Sequence, residues 1–248
     1  MLTVVDCLLP SIRYKKKTMA YHIAIVEDDA ELLKNYAEAL RREGYEVSGY
    51  PNRPAAQQAF AAKLPDMAIL DIMLEDEREG GFELCKFLRT RSEVLPIIFL
   101  TALNSDVDRV SGLRLGATDY LFKDTTTLEF LPVRVSSLFR MIDALQKPAT
   151  RDRNLVRGQL SVDTGRMEVT WVGTPVCLTL TEYWILYELI RRPGNLKEHS
   201  ELMGAAQTIV TDNAIAAYIR RIRDKFKEID ADFSCIKTEY GRGYRWVE

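Results

Sequence analysis

Hydrophobic and polar positions alternate along this chain with two different periods. Five short runs are apolar or β-prone: His22–Val26, Tyr45–Tyr50, Met67–Leu70, Ile97–Leu100 and Asp119–Phe122. Between them apolar residues return at steps of three and four, the period of a helix with one buried face. Leu32, Leu33, Tyr36, Ala37 and Leu40 mark the first such helix, which stops at Gly44. Pro54–Leu64, Phe82–Arg91 and Val107–Leu115 follow, and Leu128–Leu145 closes the series with Pro132 near its first turn. Runs buried on both faces and alternating with helices predict an α/β fold, a doubly wound five-stranded parallel sheet covered on each side.

The pattern breaks at residues 146–154, a polar, aperiodic stretch containing Pro148 that reads as a linker. Beyond it Gln159–Val162, Arg166–Val172 and Val176–Leu178 are β-prone pieces. Thr181 is the expected cap of a helix that Pro193 and Gly194 end. Lys197–Ala206 and Asp212–Lys227 are two more helices, and Cys235–Thr238 and Tyr244–Val247 flank a hairpin turn. The chain thus divides into an α/β module over 22–145, a linker and an α+β module over 155–248. Residues 1–21 read as a disordered tail, or as sequence upstream of a true start at Met19.

Composition narrows the class. Across 248 residues, 47% hydrophobic and 28% charged side chains describe a folded globular chain, and no apolar run is long enough to cross a bilayer. Cys7, Cys85, Cys177 and Cys235 are far apart and only His22 and His199 accompany them, so no zinc pattern exists and a reducing, cytoplasmic setting is expected. A net charge of −2 argues at first against nucleic-acid binding. The charge is unevenly spread, however: residues 22–150 carry net −6 and residues 151–248 net +1. An acidic first module beside a near-neutral second one points to different partners.

The first module's polar residues cluster at the carboxyl ends of its strands, where ligands of such sheets bind. Glu27 and Asp28 follow the first strand, Asp71 the third, Thr101 the fourth and Lys123 the fifth. Singly, each has an ordinary explanation as a helix cap, turn residue or solvated lysine. Together, the carboxylates need a cation, and all-oxygen ligation selects Mg²⁺. Asp71 is then a candidate nucleophile toward a phosphoryl group, with Lys123 and Thr101 binding the transferred phosphate. Dinucleotide-binding glycines and a phosphate-binding GxxxxGK[ST] loop are both missing, and Asp71 is not in a DxD motif on the first strand.

These residues make 22–145 resemble the receiver domain of two-component response regulators, a flavodoxin-like fold. The resemblance implies Asp71 as phosphoacceptor, with the metal held by Glu27, Asp28, Asp71 and the backbone carbonyl of Met73. It makes Thr101 and Tyr120 the switch pair, and places Arg109, Asp119 and Arg134 on a charged dimer face. The stretch from Asp71 to Leu113 resembles a subgroup that accompanies dedicated sortase systems in proteobacteria. Three features depart from the family pattern: an acidic, lengthened loop carrying Glu75, Asp76, Glu77 and Glu79, Asp124 where proline is usual, and a Thr125-Thr126-Thr127 stretch one residue longer.

In the second module the third helix combines an apolar face, Ile215, Ile219, Ile222 and Phe226, with Arg220, Arg221, Arg223, Lys225 and Lys227. A basic helix after a helical pair and before a hairpin bearing Arg242 and Arg245 fits a winged helix-turn-helix. LTLTEYWILY, IRRIRDK and IKTEYGRGYRW resemble the effector domain of the OmpR/PhoB subfamily. Asn213, Arg220, Arg221, Arg223, Thr238, Arg242 and Tyr244 are the expected DNA-binding residues. The resemblance implies a transcription regulator phosphorylated by a sensor histidine kinase, dimeric when active, bound to double-stranded DNA and away from membranes. Two alternatives are a DNA-binding regulator that needs no phosphorylation and a phosphorylation-gated protein-interaction module.

Overall fold

The computed structural model describes residues 20–75, 77–103, 105–146, 154–206 and 212–247. The first half alternates β1 (His22–Val26), α1 (Ala30–Arg42), β2 (Glu46–Tyr50), α2 (Arg53–Ala62), β3 (Met67–Leu70), α3 (Gly80–Arg89), β4 (Ile97–Thr101), α4 (Asp106–Arg114), β5 (Asp119–Phe122) and α5 (Phe130–Gln146). The strands form one parallel sheet in the order β2-β1-β3-β4-β5. β3 and β4 are buried at every position, as an apolar run covered on both faces must be. β2 is an edge strand and correspondingly more polar and exposed. The strand order reverses between β1 and β3, so their carboxyl ends open the crevice in which such sheets bind ligands.

Asp29 settles which acid at the first junction is structural. Its side chain accepts from the Glu31 and Leu32 amides at 2.9 and 3.0 Å and caps α1. Glu27 and Asp28 are thereby left for chemistry. At the N-terminal boundary Tyr21, expected in the tail, stacks on Phe139 of α5 at 3.9 Å and hydrogen-bonds Asp143. The remainder of that tail lies outside the described residues, as does nearly all of the expected linker, between Gln146 of α5 and Asn154 of the next strand.

The second half has an antiparallel sheet, β6 (Asn154–Arg157), β7 (Leu160–Asp163), β8 (Glu168–Trp171) and β9 (Thr174–Pro175). Helices α6 (Leu180–Ile190), α7 (His199–Ala206) and α8 (Asp212–Lys227) follow, then the hairpin β10 (Ile236–Glu239) and β11 (Gly243–Trp246). β6 begins inside the stretch expected to link the modules, and β9 precedes the expected Val176–Leu178. Val172 and Gly173, both at positive φ, make a two-residue turn that brings Thr174 opposite Trp171. The cap of α6 is Thr179 rather than Thr181: Thr179 and Glu182 exchange hydrogen bonds in a capping box. Trp171 packs edge to face against Phe226, Phe233 and Trp246 in the core beneath the hairpin, and Phe226 stacks on Phe233 at 4.4 Å. The hairpin is pinned by Gly243, where an added Cβ would lie 2.0 Å from the Lys197 carbonyl oxygen.

Candidate functional site

Three strand ends meet as the sequence predicts. One carboxylate oxygen each from Glu27, Asp28 and Asp71 lies within 4.8 Å of the others. Lys123, from the end of β5, reaches across to Asp71 at 2.6 Å and to Glu27 at 2.7 Å. Glu27 and Asp71 are buried, while Asp28 is exposed at the rim. Asp71 is held by its own loop, accepting from the Ile72 amide at 2.6 Å and the Met73 amide at 3.4 Å. Gly81 permits this packing, because a Cβ there would sit 2.0 Å from the Asp71 carbonyl oxygen.

The electrostatics follow from the crowding. Burial pushes the Glu27 carboxyl up to about 7, against the hydrogen bond and charge of Lys123. Burial works to lower Lys123, but its bonds to Asp71 and Glu27 outweigh that and hold the ammonium above its ordinary range. One cation serving two buried acids leaves the pocket short of positive charge. Hard oxygen donors with one open edge therefore fit a Mg²⁺ ion, which binds one or two carboxylates and keeps several waters.

On the flank, Thr101 is fully buried and its hydroxyl accepts from the Leu103 amide at 3.3 Å. Tyr120 donates to the Leu103 carbonyl at 2.9 Å and packs between Phe99 and Phe122. The aromatic expected to move inward is thus already inside. Asp119, expected on a charged dimer face, is buried and paired to Arg134 of the same chain. Arg109 lies over the Phe122 ring at 6.0 Å.

The basic helix distributes its charges unequally. The Arg220 side chain is 83% exposed, with Asp224 a distant 3.9 Å away, and Arg242 is exposed at the hairpin tip. Arg223 turns to the wing, donating to the Ile236 carbonyl at 2.9 Å and the Thr238 hydroxyl at 2.8 Å, and lies over the Tyr244 ring. Asn213 lies in α8, but its side chain is outside the described residues. Arg221 and Lys225 turn inward to Glu182, at 2.8 and 2.9 Å. The Arg221 contact is between charges rather than an aligned hydrogen bond. Burial opposes the Glu182 charge, yet these two cations hold its carboxyl below the usual range.

Those inward residues also reach the first module. Arg221 donates to the Leu113 carbonyl at 2.6 Å, Tyr218 to the Ala117 carbonyl at 3.2 Å and Thr181 to the Thr118 carbonyl at 3.5 Å. Lys225 approaches Glu93 at 3.3 Å. Leu113 is in the last turn of α4; its carbonyl also accepts from the Gly116 amide at 3.0 Å, and the carbonyls at this end carry the helix's negative dipole end. A guanidinium is a suitable cap for them. Arg89 of α3 does the same for the neighbouring Gly116 carbonyl.

Residues 23–132 match the family model for the response regulator receiver domain, and residues 173–246 that for the C-terminal domain of transcriptional regulatory proteins. The transcriptional regulatory protein CreB of Escherichia coli K12 is 30% identical over 223 residues, covering 89% of this chain and 95% of CreB. This chain is a response regulator of the OmpR/PhoB type. TrcR of Mycobacterium tuberculosis is 35% identical over 230 residues, covering 90% of the regulator and 85% of TrcR. A solved structure of a RitR mutant shares the fold, with a TM-score of 0.72, 22% identity and coverage of 92% of this chain and all of that one. The regulator acts in transcription within a two-component system. Among the described residues no helix is long and apolar enough to cross a membrane.

Tyr218 and Glu182 escaped the reading of the regulator's sequence. Tyr218 stands three residues after Ile215 on the buried face and carried that signal. Glu182 lay concealed in its capping box, a spacing that explains the residue locally without its second role.

Proposed function

We propose that Asp71 accepts a phosphoryl group from a sensor kinase's phosphohistidine and that the modification releases α8 for DNA. The observation that carries this reading is Lys123 bridging Asp71 and Glu27 at the floor of an acidic crevice. An Asp71 carboxylate oxygen attacks phosphorus, the P–N bond breaks, and its electron pair returns to the imidazole. Glu27, Asp28, Asp71 and the Met73 carbonyl would hold Mg²⁺, which when bound neutralises charge on the phosphoryl oxygens. Lys123 exchanges its contact with the Asp71 carboxylate for one with a phosphoryl oxygen. The Thr101 hydroxyl, whose oxygen accepts from the Leu103 amide, donates its proton to another phosphoryl oxygen, drawing the β4–α4 loop inward. That loop also carries the Tyr120 contact through the Leu103 carbonyl.

The contact between α8 and α4 supports a closed resting form. With Tyr218 and Arg221 engaged on the receiver, this helix does not present its whole face to a major groove. Receivers pairing through α4, β5 and α5, with Arg109, Asp119 and Arg134 rearranged between subunits, would compete for the same corner. In the open dimer Arg220, Arg223 and Arg242 supply phosphate contacts, with Asn213, Thr238 and Tyr244 beside them. The protein works in the cytoplasm, where kinase and DNA are both accessible.

Acetyl phosphate or beryllofluoride with Mg²⁺, applied to wild type and Asp71→Asn, tests this. An Asp71-dependent gain in mass with acetyl phosphate, and in dimerisation and DNA affinity with either reagent, is expected. DNA affinity that ignores all treatments would instead mark a phosphorylation-independent regulator. Binding to its own upstream promoter that fails even at low salt would mark a protein-interaction module.

A further inference from the structure

The acidic loop between β3 and α3 is unexplained by the receiver chemistry. Carboxylates beside a cation site attract cations indiscriminately and repel an incoming phosphoryl group, so their arrangement matters. Leu74 and Glu77 exchange backbone hydrogen bonds at 3.1 and 2.9 Å, closing a tight hairpin in which Glu75 has φ 51°. The Glu77 carboxylate takes two hydrogen bonds from Arg53 of α2, at 2.5 and 3.0 Å. Beside it Asn52, the cap of α2, donates to the Glu75 carboxylate at 3.4 Å. On the loop's other side the Glu75 amide donates to Asp28 at 3.0 Å.

These contacts form a chain from the start of α2 to the exposed metal-site carboxylate. Its anchor is fixed: the Glu27 amide bonds the Tyr50 carbonyl at 3.0 Å, tying the acidic pair to the strand end that leads into α2. Asp28 alone of the three acids is exposed, so without a partner its carboxylate rotates freely. An amide on one oxygen fixes its plane and leaves the other lone pairs for a cation. Losing a group that orients a ligand typically costs about ten- to a hundredfold in metal affinity.

The geometry points to Arg53 as a positioning residue for the divalent cation: through Glu77 it holds the acidic loop so that the Glu75 amide orients Asp28. This rests on the metal-assisted reading of the crevice above. Two effects of losing Arg53 have opposite signs. By charge alone, removing a cation near an acidic site tightens divalent binding. By positioning, the loop loosens, Asp28 is released and binding weakens.

Mn²⁺ titrations of the full chain, followed by the electron paramagnetic resonance of the free ion, separate them. Arg53→Met is expected to weaken Mn²⁺ binding by roughly three- to tenfold, less than the tenfold or more typical of losing a ligand's direct partner. The exchange Arg53→Glu with Glu77→Arg is expected to restore wild-type affinity within about twofold, since it rebuilds the ion pair without changing net charge. Unchanged or tighter binding by Arg53→Met overturns the proposal. So does an exchange variant that melts like wild type yet binds like Arg53→Met. Wild type that binds no Mn²⁺ would overturn the reading of the crevice itself.

Discussion

Tyr218→Phe tests the closed resting form with the least disturbance. The substitution keeps the ring in the effector core, where Tyr218 is 1% exposed, and deletes only the hydroxyl that donates to the Ala117 carbonyl. A neutral buried hydrogen bond contributes about 1 kcal/mol net, and leaving the carbonyl unpaired adds to the loss. The Ala117 bond spans the two modules, whereas the hydroxyl's bond with Thr181 lies within the second module, so losing the first falls on the closed form. About 1 kcal/mol shifts the open–closed equilibrium roughly fivefold. While the closed form dominates, apparent DNA affinity scales with the open fraction. Unphosphorylated Tyr218→Phe should therefore bind its operator about fivefold more tightly than unphosphorylated wild type. After beryllofluoride activation the two should converge. Fluorescence anisotropy with operator DNA in both states reads this directly. Equal affinities in the resting state would refute the docked helix as a brake. Equal weakening in both states would place the hydroxyl on the DNA side instead.

Three further outcomes follow from the same contacts. Lys123→Met leaves Glu27 and Asp71 buried without their shared cation, and should cost about 3 kcal/mol in urea unfolding without divalent ions, with a large part recovered on adding Mg²⁺. Arg220→Ala should weaken operator and non-operator DNA alike and reduce the salt slope of binding by about one, as expected of a phosphate contact; a sequence-selective loss would contradict it. Glu182 is held below its ordinary 4.5 in the folded chain, so its contribution is complete above that value and is lost as pH falls through the folded pKa. The stability gap between wild type and Glu182→Gln should be constant near neutrality and shrink below about pH 4.5, and a gap that widens with acid would contradict the pairing.

The acceptor site was legible because parallel topology turns sequence position into spatial position. An apolar run ending in an acid, hydroxyl or lysine puts that group at the carboxyl edge of the sheet, and four such ends, those of β1, β3, β4 and β5, bring five polar side chains together. Which acid caps α1 was not legible. The resemblance named Glu27 and Asp28 for the metal, but Asp28 and Asp29 are equivalent as local letters; the extended backbone at Asp29 turns its carboxylate onto the Glu31 and Leu32 amides. Equally, the acidic loop read as unrelieved negative charge until folding placed Arg53 against Glu77.

The basic helix draws the same division. Its sequence determined the period, the apolar face and the surplus of arginine, because these depend on residues within a turn or two. Which arginines face solvent was decided elsewhere. Arg221 finds the Leu113 carbonyl 108 residues away and Lys225 finds Glu93 132 residues away. Local preference is encoded over a few residues, whereas Glu182 comes within reach only when α6 packs on α8, and the carbonyl end of α4 only when the two modules pack. The sequence determined that this chain holds an acidic site at its sheet edge and a basic helix; the tertiary structure decided that the helix rests against the receiver.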